Sequence, residues 1–353
     1  MKNKMPACLD DRQYDRLDAK TTEILDGADG LALKRAASVL RSGGLVALPT
    51  ETVYGLGADG LNPDAVSRIY EAKGRPPSNP LILHAADINT AKRLVSIWPD
   101  AAQRLADKFW PGPLTIILPA SEIVPKIVRA NNPTVAIRIP KHPVALELLR
   151  LFDGPLAAPS ANKTNETSPT KPEHVLKSLG GRIDLILDGG RTRAGIESTI
   201  INLAEAPPRL LRPGPIGILE LESVIGAIAC SENTITTQGP QLAPGMSRRH
   251  YAPKARLDIL NAGDLANALQ ELEKISGERA VAVLIGNEAV LPIGSDFRRL
   301  PDDARGVSSR LYAILHDLDA EGYQRVLFQA PPRTGEWAAV ADRLTRAASA
   351  EGI

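Results

Sequence analysis

Aromatic side chains are scarce: Phe, Trp and Tyr together make up 4% of the 353 residues. The cores must therefore be aliphatic, and an extended platform for stacking nucleic-acid bases is excluded. Cysteine is nearly absent. Cys8 and Cys230 are far apart, so they form neither a CxxC pair nor a disulfide framework, which suits a reducing compartment and argues against structural zinc. Five scattered histidines make a histidine-rich metal site improbable. Neither charge sign dominates, since 42 basic and 41 acidic residues leave a net charge of +1. A nucleic-acid binder usually carries a larger basic excess, although a local basic face can hide in a balanced total. No apolar run approaches the roughly 18 residues of a membrane span. The first 28 residues read as a polar tail, too acidic for a transit peptide and without the apolar core of a signal peptide, so a cytoplasmic location is expected. The chain also lacks a GxxxxGK[ST] loop, a GxGxxG opening a helix, HExxH and GxSxG.

What is present is an aliphatic α/β pattern long enough for two domains. Leu31–Arg41, Asp100–Phe109, Pro143–Phe152 and Pro172–Leu179 read as helices. Strands are readable at Leu45–Leu48, Leu114–Leu118, Val135–Ile139, Ile183–Leu187 and Thr199–Leu203. A helix from Asn62-Pro63 has a capping side chain, proline in its first turn and Gly74 as its stop. A break follows Arg212-Pro213-Gly214-Pro215, and residues 231–254 are polar and turn-prone. Beyond them, apolar strands at Leu257–Leu260, Ala280–Ile285 and Arg325–Phe328 alternate with helices at Asp264–Ile275 and Val307–Leu318. This second unit is expected to be a small α/β domain with a parallel sheet.

The chemistry concentrates between Gly43 and His84. A strand breaks at Pro49 into a loop holding Thr50, Thr52, Tyr54, Gly55 and Gly57; a helix then ends in Lys73-Gly74-Arg75-Pro76, and a second strand runs to His84. Hydroxyls, cations and backbone amides at strand ends suit a small polar substrate and a polyphosphate. Alone, a KxR pair is a solvated helix end; in this order of elements it reads as a phosphate bracket. Strand alternation puts Val135, Ile137 and Ile139 on one face and Arg138 on the other, where a guanidinium suits a carboxylate.

The motifs PTETVYGLG, KGRPPSNPL and Ser160-Ala161-Asn162 together resemble the signature of the YrdC/Sua5 family, the threonylcarbamoyl-adenylate synthases of tRNA modification. PGM and RHYAP, around Tyr251, look like the linker of its longer Sua5 type, which folds back over the catalytic pocket. The resemblance implies a YrdC-like twisted mixed sheet with helices, plus a smaller C-terminal Rossmann-like α/β domain. It divides the chain into a tail (1–28), a catalytic domain (29–217), a linker over the active site (218–254) and a C-terminal domain (255–353). It further implies a nucleotidyltransferase that makes threonylcarbamoyl-adenylate and pyrophosphate from L-threonine, bicarbonate and ATP. Lys73, Arg75, Asn79, Thr115, Ser160, Asn162, Ser168 and Arg212 would face ATP. Thr50, His84, Arg138, Ser198 and Tyr251 would hold threonine, with Lys73, Arg75 and Arg138 central to catalysis. Mg²⁺ would be held mainly by ATP phosphates rather than by a protein metal site. The partners implied are a tRNA threonylcarbamoyltransferase machinery downstream and at most a weak tRNA contact, with no membrane. Two departures from the family pattern stand out, Thr164-Asn165 in place of Ser-Gly and Asn202 in place of aspartate. Related hydrogenase-maturation carbamoyltransferases carry zinc-binding CxxC motifs that this chain lacks. A non-catalytic RNA-binding factor is the alternative from another class.

Overall fold

In a computed structural model, the described residues are 21–230, 241–245, 250–275, 277–287, 289, 291–333 and 335–348. They form one sheet of eleven strands and one of four. The larger sheet contains β1 (Glu23–Asp26), β2 (Val46–Leu48), β3 (Gly55–Asp59), β4 (Ile82–His84), β5 (Leu114–Pro119), β6 (Thr134–Arg138), β7 (Leu156–Ala157), β8 (Leu185–Asp188), β9 (Thr199–Asn202), β10 (Arg209–Arg212) and β11 (Ala229–Cys230). Their spatial order is β1-β8-β2-β3-β7-β4-β6-β5-β9-β10-β11, with parallel and antiparallel neighbours mixed. Seven helices accompany it: α1 (Gly30–Arg41), α2 (Pro63–Lys73), α3 (Ile88–Arg93), α4 (Asp100–Phe109), α5 (Pro143–Phe152), α6 (Pro172–Leu179) and α7 (Ile218–Ile225).

Local sequence explains these elements. Asn62 caps α2 by accepting from the amides of Asp64 and Ala65, Pro63 occupies the first turn, and Gly74 ends the helix at φ +59°. Ala65, Ile69 and Ala72 are buried as their helical spacing predicts. On β6, Val135 and Ile137 join the main aliphatic core while Ala136 packs on the opposite face beside Ile82, Ile117 and Ile200.

Two expected boundaries shift. Residues 23–26, assigned to the tail, pair in register with Leu185–Asp188, because Ile24 and Leu25 continue a parallel edge beside an apolar strand. Residues 218–230, assigned to the linker, fold as α7 and β11. Leu221 and Ile228 are buried in the main core, and β11 extends the sheet alongside β10. The first 20 residues and 231–240 lie outside the described residues.

The second sheet is wholly parallel, in the order β12 (Arg256–Leu260), β15 (Arg325–Gln329), β13 (Ala280–Ile285), β14 (Phe297–Leu300). It packs with α8 (Leu265–Ile275), α9 (Ala304–Ala320) and α10 (Ala338–Ala348). The two units share a core, since Val53 and Ile196 of the first join Tyr251, Val307, Leu311 and Leu344 in one apolar cluster. At Gly195 (φ +73°) the backbones approach so closely that a Cβ would lie 2.4 Å from the Ser308 carbonyl oxygen. Gly195→Ala is therefore expected to cost of order 1–3 kcal/mol from backbone strain alone, read as a lower midpoint in urea unfolding.

Candidate active site

Strand ends of the larger sheet open into one cleft. The β2–β3 loop contributes Thr50, Thr52 and Val53, the end of α2 contributes Arg75, and β4 and β6 contribute His84 and Arg138. The register of the parallel β4–β6 pair sets His84 opposite Arg138. Ala158, Pro159 and Ser160 follow β7; Glu197 and Ser198 precede β9; Arg212 ends β10. Pro244, Gly245, His250 and Tyr251 of the linker close the cleft. Tyr251, expected to lie over the pocket, is among the residues lining this cleft, while residues 246–249 lie outside the described residues.

Eight expected site residues line this cleft: Thr50, Arg75, His84, Arg138, Ser160, Ser198, Arg212 and Tyr251. The other five stand behind its wall. Lys73 donates to the carbonyls of Ser160 (2.6 Å) and Asn162, pinning the loop after β7 from beneath. Asn162 donates to the Lys163 and Glu166 carbonyls and leaves Oδ1 buried without a partner. Asn79 offers its carbonyl to Tyr70 and, at 3.4 Å, to Arg75 Nε. Thr115 shares a 2.8 Å hydroxyl contact with Ser198. Ser168 donates to Glu197 at 2.6 Å. Sequence marked these positions as ligand contacts; the structure shows what their polar atoms already hold.

Thr50 also spends its hydroxyl locally. It donates to the Val53 carbonyl at 2.7 Å and accepts from the amides of Thr52 and Val53, which tightens the loop into a side-chain-capped turn. Arg212 is fixed by three acceptors, the Ser198 carbonyl (3.0 Å), the Ser198 hydroxyl (3.1 Å) and the Pro244 carbonyl (3.2 Å). Arg75 Nη2 donates to the Pro80 carbonyl at 3.0 Å. Arg138 Nε donates to Gly112 at 3.2 Å, and its Nη2 lies 2.8 Å from Glu51 Oε1.

Charge is concentrated here out of water. Burial, then the neighbouring Arg75 charge, pushes the Lys73 ammonium well below its ordinary value. Burial also pulls Arg75 down to about 10, with the Arg212 charge adding to that effect. Cations massed like this are costly unless an anion joins them. The ring nitrogens of His84, beside the Ile82 backbone, and the Tyr251 hydroxyl, beside Arg212, are buried without a well-formed hydrogen bond, which suits the cleft to a polar occupant.

Glu51 sits inside the PTETVYGLG motif and Glu197 directly precedes Ser198, yet neither was singled out from sequence. Tyr312 on α9 and Arg343 on α10, which meet Glu197, carried no local signal at all. The two family departures are also explained. Asn165 adopts φ +69°, a left-handed conformation that asparagine tolerates, and its carbonyl accepts from Ala252 of the linker. Asn202 builds a turn, donating to Glu205 and accepting from the Ala204 amide.

Burial holds His84, His174 and His250 neutral, each at about 3. The unfolded chain takes up these protons near 6.5 and the folded protein does not, so stability must fall as pH drops below 6.5 toward 3. The expected slope is about 1.4 kcal/mol per pH unit for each such histidine. Urea unfolding at pH 7, 6 and 5 checks this, and a flat profile contradicts it.

Fold and cleft define the class: a two-domain α/β protein whose buried arginines converge on a site closed by its own linker. The family model Sua5_yciO_yrdC, described as "Telomere recombination", matches residues 38–214. The model Sua5_C, described as "Threonylcarbamoyl-AMP synthase, C-terminal domain", matches residues 216–349. The chain belongs to the Sua5/YrdC family, as its motifs suggest. A threonylcarbamoyl-AMP synthase of Bacillus subtilis is 42% identical over 329 residues, covering 91% of this chain and 94% of that protein. One of Pyrococcus abyssi is 41% identical over 322 residues, covering 89% and 93%. The crystal structure of P. abyssi Sua5 complexed with L-threonine has a TM-score of 0.84 and 38% identity, covering 93% of this chain and 97% of that one.

Proposed function

We propose that this protein condenses L-threonine, bicarbonate and ATP into L-threonylcarbamoyl-adenylate and pyrophosphate, the donor for threonylcarbamoylation of adenosine 37 in tRNAs reading ANN codons. The observation that carries the reading is the convergence of Arg75, Arg138 and Arg212 on one linker-covered cleft. Its support from relatives is the shared name of the two synthases and the threonine held by the P. abyssi structure.

The reaction needs no nucleophile from the protein. The neutral threonine amine attacks the carbon of carbon dioxide and gives up a proton to water, or attacks bicarbonate with loss of water, and forms a carbamate. A carbamate oxygen then attacks the α-phosphorus of ATP, the bond to the β-phosphate oxygen breaks, and pyrophosphate leaves. The protein must align two anions and disperse charge on the leaving group. Arg75 and Arg212 would meet the phosphates, with Lys73 and Asn162 fixing the loop that carries Ser160. Arg138 would take the threonine carboxylate, its plane already set by Gly112 and Glu51. His84 and Ser198 would meet the threonine hydroxyl, and Tyr251 would exclude water from a labile product.

Among the described residues no group of three or more His, Cys, Asp or Glu side chains could hold a metal ion. The two carboxylates at the cleft are committed to arginines. The residues therefore do not fit a resident metal, and Mg²⁺ would enter with the nucleotide on its own phosphates. No helix among the described residues is long and apolar enough to cross a membrane; a cytoplasmic location, a downstream threonylcarbamoyltransferase and weak tRNA contact belong to the same proposal. A non-catalytic RNA-binding role is not favoured, because the arginines are buried in a narrow cleft rather than spread over an open face.

Pyrophosphate release from ATP, with threonine and bicarbonate each omitted in turn, tests the reading. Release is expected only with both present; release indifferent to either would overturn it.

A further inference from the structure

Glu197 is 6% exposed and borders the cleft, yet three of its contacts lead away from it. Its Oε1 accepts from Ser168 at 2.6 Å. Its Oε2 accepts from Tyr312 on α9 at 2.9 Å and from Arg343 Nε on α10 at 2.8 Å. Arg343 is fully buried, and its Nη1 donates to Asp342. The C-terminal domain thus inserts an arginine and a tyrosine into the back of the first domain's cleft.

The same two side chains hold the linker. Tyr251 stacks on Tyr312 with ring centroids 5.7 Å apart, and the Arg343 guanidinium lies 5.2 Å from the Tyr251 ring. Tyr251 has φ +63°, a strained conformation for a bulky residue that persists only when its surroundings impose it. Flanking amides are tied to both units. His250 N donates to Arg346 of α10, and Ala252 N donates to Asn165 of the first unit. Gly245, at φ +81°, leaves room for the Tyr251 hydroxyl, which a Cβ there would approach within 2.3 Å.

Burial alone would raise the Glu197 carboxyl. The Arg343 charge, then Arg212 and the Ser168 hydrogen bond, outweigh it and hold the group at about 2. Glu197 is therefore a fixed counter-charge between a cleft arginine and a domain arginine.

We propose that Arg343 and Tyr312 are positioning residues, which through Glu197 fix the Ser168–Arg212 side of the cleft wall and clamp Tyr251 over the cleft. The C-terminal domain is then the part that keeps the linker closed and the polyphosphate side of the site in register. The kinetic half of this inference rests on the proposed adenylate synthesis; the structural half does not. Because Glu197 faces Arg212 while Arg138 is set by Glu51, loosening the clamp should damage ATP use before threonine use.

The test uses the full-length protein with Arg343→Met, Arg343→Lys and Tyr312→Phe. Hydrogen exchange of a peptide spanning residues 250–255 is read beside kcat and KM for ATP and threonine, well below each Tm. Displacing the wall by about 1 Å should lower kcat/KM for ATP on the order of 100-fold in Arg343→Met. KM for ATP should rise more than KM for threonine, with partial recovery in Arg343→Lys. Tyr312→Phe, which should fold even if Arg343→Met does not, is expected to exchange faster at the Ala252 amide. Folded variants with lowered Tm but unchanged linker exchange and unchanged kcat/KM would overturn the clamp. If the wild type makes no adenylate, the proposed reaction fails. Faster linker exchange in Tyr312→Phe would then still support the clamp, and unchanged exchange would overturn it.

Discussion

Arg75→Ala is expected to lower kcat/KM for ATP by about 100- to 1,000-fold, the usual cost of removing one group that meets developing charge in a water-poor site. Its structural cost should be smaller. Arg75 donates to the Pro80 carbonyl and more weakly to that of Asn79, and carbonyls that lose a partner cost about 1–3 kcal/mol. The protein should therefore remain folded at assay temperature while turnover collapses. Arg75→Lys keeps a charge but loses the planar fork, so its activity should fall between the two. Lys73→Ala is expected to behave differently. Lys73 braces the carbonyls of Ser160 and Asn162 from inside, so its removal should lower stability together with turnover. Steady-state kinetics beside thermal melts separates the two cations. Near-normal turnover in folded Arg75→Ala protein would contradict its place at the phosphates.

Arg138→Met should carry the second large effect, and here stability and binding come apart only in a double variant. Arg138 and Glu51 are both largely buried, with side-chain exposures of 5% and 12%. Removing the guanidinium strands a carboxylate, at a cost of about 3–5 kcal/mol. Arg138→Met combined with Glu51→Gln removes both charges and should recover most of that stability. Threonine binding should not recover, because the group proposed to meet the substrate carboxylate is gone. KM for threonine is expected to rise about 30-fold or more in both variants, the scale of a truncated buried charge pair. Recovery of threonine KM in the double variant would show that Arg138 serves only to neutralise Glu51.

Much of the first unit was legible because its signals are local. Asn62-Pro63 and Gly74 delimit α2, and aliphatic alternation defines β6 and the side on which Arg138 stands. The β3 strand was missed because Gly55 and Gly57 read as loop. The glycines are there instead for close packing: a Cβ on Gly57 would lie 2.9 Å from Leu48 Cδ2. At the site, sequence marked hydroxyls and cations that gather at and around the cleft, but not which of their atoms are already used. That Lys73 points at two carbonyls, or that Thr50 caps its own loop, depends on backbone placement that no spacing encodes. Glu197, Tyr312 and Arg343 were invisible for a related reason. Tyr312 and Arg343 lie 115 and 146 residues from Glu197 along the chain, and only the docking of the two sheets makes them neighbours.

The most direct test of the central claim supplies ¹³C-bicarbonate with threonine, ATP and Mg²⁺, then follows the product by rapid-quench mass spectrometry. The account predicts one adenylate carrying threonine and one labelled carbon, formed in step with pyrophosphate. A labelled product without the adenylyl group, or threonyl-adenylate without the label, would contradict it.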